Sequence, residues 1–142
     1  MTAFNTIVAA IKTRLESAPA VSTQVYRTRL KPVAAQFNDA VVIRIQGGTA
    51  DRFAILGAPT DWDTTIEIEC YARSATLTPD EAVDALLGKV WARLAADTSL
   101  GGTVMLLHES DVNFDFSGAA DDMACATLTL KVMHRTINPL LE

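Results

Sequence analysis

The sequence predicts an α+β fold: an antiparallel or mixed β-sheet with two helices packed on one face. Three observations carry this. Only two stretches of the 142 residues show helical apolar spacing. The other apolar segments alternate or run short, as strands do, and follow one another along the chain. A doubly wound parallel sheet would need more crossover helices than the sequence offers. The expected order is α-β-β-β-β-α-β-β-β, in a single domain spanning residues 1–142.

Thr2 offers an N-cap, and Phe4, Ile7, Val8, Ile11 and Leu15 then form one apolar stripe, with Lys12, Arg14 and Glu16 off it. Pro19 ends this helix, because the residue before a proline avoids helical angles; the span is 3–17. Residues 22–30 read as a strand with Val25, Arg27 and Arg29 on one side, closed by Pro32. AVVIRIQ at 40–46 is a second strand, rich in β-branched residues. Gly47-Gly48-Thr49-Ala50-Asp51 reads as a turn, with Arg52 to Leu56 running back to complete a hairpin, and 57–61 as a loop.

The clearest strand is 64–73. Ile66, Ile68, Cys70 and Ala72 alternate with Thr65, Glu67, Glu69, Tyr71 and Arg73, so one face packs on a core and the other meets water or a partner. Thr78 caps a second helix with Pro79 at its first position and Asp80 and Glu81 at the positive end of its dipole. Val83, Leu86, Leu87, Val90 and Leu94 form its stripe, flanked by Trp91, and it ends near Ala96 before Gly101-Gly102. Three strands follow, at 103–109, 112–116 and 123–135. In the last, Ala124, Ala126, Leu128, Leu130 and Val132 share a face.

Apolar residues make up 49% and charged residues 20%, and the mean hydropathy is +0.20. This excludes a disordered chain and is slightly apolar for a small monomer, which points to apolar surface covered by another chain. A chain of this length buries roughly two-thirds of its unfolded surface, enough for a core without staples. Cys70 and Cys125 fit no CxxC or zinc spacing and read as small reduced hydrophobes. No apolar run approaches the roughly 20 residues of a membrane span. MTAFNTIVAAIKTRLES lacks the cationic start and cleavage site of a signal peptide, so a cytoplasmic setting without a membrane partner is expected.

The net charge of −5 is unevenly spread. Residues 1–48 carry six Lys/Arg against two acids, a net +4; residues 49–142 carry six against fifteen, a net −9. Tight nucleic-acid binding draws its affinity from neutralised phosphates, and this chain lacks the basic excess it needs. A difference of sign between two halves can instead orient copies head to tail.

The search for chemistry finds little. His108, Glu109 and Asp111 resemble an acid–base or metal cluster, but strand neighbours point to opposite faces. His134, beside Arg135, reads as an ordinary strand-end histidine. Glu67 and Glu69 share a strand face about 7 Å apart, a spacing open to paired acid–base work. Beside Tyr71 and Arg73, that face reads instead as an interface or a solvated surface. Asp61-Trp62-Asp63 lacks the further oxygens of a calcium loop and reads as a strand-start turn anchored by its Trp. There is no nucleophile elbow, P-loop or dinucleotide fingerprint. Phe114 and Phe116, with no Lys or Arg between them, read as a core-facing pair rather than a base-stacking platform. No catalytic, cofactor-binding or metal-binding residue is assigned, and no enzyme activity is expected.

Several phrases matter together: FNTIVAAIKTRL, VYRTR, VVIRIQ, GAPTDWDTTIEIECYARS, PDEAVDALLGKVWARL and ATLTLKVMHRT. Over nearly the whole chain this resembles the small tail-terminator, or tail-completion, proteins of long-tailed bacteriophages and prophages. The resemblance implies a non-enzymatic virion protein without a cofactor, made in the host bacterial cytoplasm and carried in the virion tail. It implies a homo-oligomer, a hexameric ring on the end of a completed tail tube. That ring stops tube polymerisation and presents a surface to the head-tail joining protein, and DNA passes through its lumen without specific binding. The alternatives are another small phage assembly part, such as a head-tail joining (connector) or minor tail protein, and an unrelated enzyme or small-ligand module.

A closed ring needs heterologous interfaces, in which one patch meets a different patch on the neighbour. The expected patches are the polar face Glu67, Glu69, Tyr71 and Arg73 and the basic group Arg27, Arg29 and Arg44. An acidic lumen would repel DNA and so suit its transit. The hairpin carrying Gly47, Gly48, Asp51 and Arg52 is expected to touch the tail tube.

Overall fold

A computed structural model of the chain describes residues 1–28, 36–52, 57–116, 123–137 and 141–142, and of Arg52 the backbone only. Helix α1 (Ala3–Glu16) leads into β1 (Val25–Arg27), β2 (Asp39–Arg52) and β3 (Thr60–Ala72). Helix α2 (Pro79–Ala95), β4 (Leu106–Asp115) and β5 (Ala124–Thr136) follow. The strands form one sheet in the order β1-β2-β3-β5-β4. β1 runs parallel to β2 and the other pairs are antiparallel, so the sheet is mixed and the class is the expected α+β.

Both helices lie on one face. α1 rests against β1 and β2, and α2 against β3 and β5. Strand register lines their footing up in rows: Val41 opposite Cys70 and Cys70 opposite Ala126, then Ile43 opposite Ile68 and Ile68 opposite Leu128. Ile7, Ile11 and Leu15 of α1 and Val83, Val90 and Leu94 of α2 are buried against these rows in one cluster. Each such side chain contributes about 1.5–3 kcal/mol on burial. That matters for α1, because an isolated helix of 14 residues is marginal in water. Its N-terminus is capped by Thr2, whose hydroxyl accepts from the Asn5 amide at 3.4 Å. α2 is started by Glu81, which accepts from the Thr78 amide at 3.0 Å. Arg93 on α2 donates to the Ser17 carbonyl at 3.0 Å, and so ties down the C-terminus of α1.

Segmentation departs from the sequence reading in four places. The expected turn at Gly47–Asp51 is strand: β2 runs through it to Arg52, and a bulge between Ile45 and Gly47 shifts the register. Gly48 serves close approach. A Cβ there would lie 3.0 Å from Thr64 Oγ1 and 3.1 Å from the Phe4 ring. The chain reverses beyond Arg52, around Gly57, where φ is +81°. Of the expected return strand, residues 53–56 lie outside the described residues. Asp61-Trp62-Asp63 belong to β3, not to a turn before it. The segments 103–109 and 112–116 form the single strand β4, bulged between Glu109 and Asp111. The first strand is only Val25–Arg27; Arg29, Leu30 and Pro32 lie outside the described residues.

Candidate assembly surfaces

The face of the sheet away from the helices is a polar lattice. Alternation places Arg44 of β2, Glu67, Glu69 and Tyr71 of β3, and Thr127, Thr129 and Lys131 of β5 on it. Arg44 Nε donates to Glu69 Oε1 at 2.6 Å, and Tyr71 Oη donates to the same carboxylate's other oxygen at 2.5 Å. Burial, then the bond to Glu69, raises the Tyr71 hydroxyl well above its ordinary pKa, so it stays a donor. Gln46 donates to Glu67 at 2.9 Å and Lys131 to Thr65 at 2.7 Å. Nearer the hairpin, Arg135 grips both oxygens of Asp61, at 2.6 and 3.0 Å, and holds its carboxyl below the usual range.

The residues expected at a subunit interface are therefore dispersed. Arg44, Glu67, Glu69 and Tyr71 share the helix-free face, and Arg44 meets Glu69 within the same chain. Arg73 lies past the end of β3, where it donates to the Phe37 carbonyl at 3.2 Å. Arg27 stands exposed at the β1 edge and donates to Asn5 Oδ1 at 2.5 Å. Arg29 lies outside the described residues. Gly47, Gly48, Asp51 and Arg52 form the distal part of β2, with Asp51 in register with Asp61.

The far edge of the sheet was not foreseen. Nine of the ten β4 residues are exposed, and only Leu107 is buried. Phe114 and Val112 pair in register with Ala126 and Leu128, so they lie on the helix-bearing face, the face expected for Phe114. They are not core: α2 packs on β3 and β5, and Val112, Phe114 and Phe116 are 41%, 43% and 46% exposed. The two phenylalanine rings stack at 6.2 Å. On the opposite face, Leu106 and Met133 are register partners and equally uncovered. The only advance sign was the alternating DVNFDF stretch, whose periodicity names a face but not its cover.

His134 also departs from expectation. It is 3% exposed, beneath Phe4 and beside Trp62, with ring centroids 5.1 and 6.5 Å away. Its Nε2 shares a 2.8 Å hydrogen bond with the Thr64 hydroxyl, and its buried Nδ1 has no hydrogen-bond partner among the described residues. Burial pushes its pKa down. Trp62 Nε1 donates to Thr136 at 3.0 Å, closing this aromatic cap over the end of the sheet.

His108 Nδ1 lies 3.1 Å from the Glu109 carbonyl, an exposed local contact. Burial pushes the Cys70 thiol up to about 12, so it stays protonated and unreactive. Among the described residues, no three His, Cys, Asp or Glu side chains gather as a metal site, and no helix is long and apolar enough to cross a membrane. A surface depression of about 420 Å³ beside Val21, Lys89 and Arg93 is open and largely apolar.

No protein-family model matches the chain, and no curated protein matches it in sequence. Among solved structures, one similar chain belongs to "Virion of native gene transfer agent (GTA) particle". It has a TM-score of 0.48 and 14% identity, over 92% of this chain and 95% of that chain.

Proposed function

We propose that the chain is a structural virion protein that caps the end of a completed phage tail tube as a hexameric ring, stops further polymerisation and forms the head-joining surface. The observation that carries this is the nature of its uncommitted surface. Among the described residues that surface is a ten-residue strand edge and a polar sheet face, with no metal-ligating cluster gathered on it. The resemblance of the sequence to tail-terminator proteins supports the same reading.

On the helix-free face Asp61, Asp63, Glu67, Glu69 and Asp111 outnumber Arg44, Lys131 and Arg135. Turned to the lumen, such a face would repel DNA and let it slide. Arg44, Glu69 and Tyr71 already satisfy one another inside the chain, which suits a wall better than a joint. Contact with the tail tube falls to the distal hairpin, where Gly47, Gly48, Asp51 and Arg52 lie.

Negative-stain images of tails assembled without this protein test the proposal. Overlong tubes are the expected result. Tubes of normal length that fail to join heads would instead make the chain a head-tail joining protein.

A further inference from the structure

We propose that the outer edge of β4, with Val112, Phe114 and Phe116, is where a second copy of this chain docks through its β1 edge, led by Arg27. This deepens the ring reading above and rests on it.

β1 and β4 end the sheet on opposite sides. β4 carries Glu109 and Asp111 and has no Lys, Arg or Pro in its ten residues. Natural edge strands are normally guarded by Lys, Pro or short length, because an open row of backbone groups recruits other strands. Here the row is ten residues long and flanked by uncovered apolar side chains; its guards are the bulge after Glu109 and its carboxylates, which repel a like edge and admit a basic one. Such an edge is built to be covered.

Charge decides what covers it. Arg27 is exposed, and its partner among the described residues is the neutral Asn5, so its charge meets no carboxylate there. Glu109 and Asp111 likewise form no ion pair among the described residues. Two β4 edges placed together would bring like charges face to face, which disfavours a two-fold pair. A β1 edge on a β4 edge joins opposite charges and leaves the pair with one free edge of each kind. That is the head-to-tail geometry that closes into rings.

Two variants test this: Glu109→Lys with Asp111→Lys, and Arg27→Glu. All three positions are exposed, and circular dichroism with a thermal melt checks that each variant folds. Assembly is read by light scattering of the free chain and by negative stain of capped tube ends. Each variant alone sets like charges on both edges, so assembly mass should fall about sixfold, to that of one chain. An equal mixture restores both joints in alternation, and the ring should return. Phe114→Glu should stay unassembled in every mixture. Folded variants that assemble alone, or a mixture that does not recover, would overturn the docking while leaving the ring. A native chain that forms no ring, free or on tubes, removes the ring reading and the docking together.

Discussion

Arg44 and Glu69 sit on adjacent strands of one chain with Nε and Oε1 2.6 Å apart, a diagonal pair two residues off directly opposite. Their side chains are 28% and 15% exposed. Such a pair lies between surface bridges, which contribute little, and buried ones, whose disruption is costly. Glu69→Lys should lower stability by about 1–2 kcal/mol. Arg44→Glu combined with Glu69→Arg should recover most of it in a urea melt. If the swapped chain melts like the native one yet no longer assembles, the face also meets a neighbouring subunit.

Gly47 and Gly48 separate two roles of glycine. A Cβ on Gly47 meets nothing within 4 Å, whereas one on Gly48 presses on Thr64, Phe4 and Trp62. Gly48→Ala should cost about 1–3 kcal/mol as the Phe4 contact is forced outward. Gly47→Ala should be neutral or stabilising by under about 1 kcal/mol. Thermal melts of the two variants, side by side, give the comparison.

His134 should make the fold acid-sensitive. Its folded pKa lies below the ordinary 6.5 because charging it in place is unfavourable. The unfolded chain therefore takes up the proton first. Stability is complete above pH 6.5 and declines as pH falls from there through the lowered folded value. The charged groups nearest on the facing strand are Asp61 and Asp63, on either side of Trp62; Asp61 is already engaged by Arg135. His134→Gln should flatten the melting temperature between pH 5 and 7. An unchanged slope would assign the acid sensitivity to other groups.

Asp97 governs a second, more acidic step. Hydrogen bonds from the Ser99 hydroxyl and the Gly101 and Ser99 amides, with Arg14 nearby, hold its pKa to about 2. It knots the 97–102 loop, where Leu100, Gly101 and Gly102 have positive φ, to α1 through a 2.7 Å bond from Arg14. A depressed carboxyl stabilises above its unfolded pKa near 3.8, and the gain disappears as pH falls from there towards 2. Asp97→Asn should remove that step from the acid unfolding curve and lower the melting temperature at pH 7.

The helices were legible in sequence because their signals are local: stripe, cap and proline lie within a few residues. The strands of the sheet centre were legible for the same reason, through the alternation of Ile66, Ile68 and Cys70. The errors have one cause, a signal completed by distant chain. Gly48 looks like a turn unless Phe4, from the first helix, is known to rest on it. β4 looks like two strands because the bulge after Glu109 reverses the alternation, so Leu107 and Val112 share a face despite odd spacing. Of the candidate surfaces, the charged face of β3 was legible. Its pairing with Arg44 was not, because register is set between strands and not within them. The β4 edge stayed hidden because nothing near Phe114 reveals that α2 packs on β3 and β5 instead.

β5 leaves the ribosome after β1 to β4, yet it lies between β3 and β4 rather than at a margin. Until residue 136 emerges, the nascent polypeptide holds β1, β2 and β3 on one side and β4 alone on the other, with no strand to join them. Ile66, Ile68 and Leu107 then lack the row that seals them. Productive folding therefore waits for the end of β5, and a stalled chain ending before Ala124 should be readily cut by protease where the native protein resists.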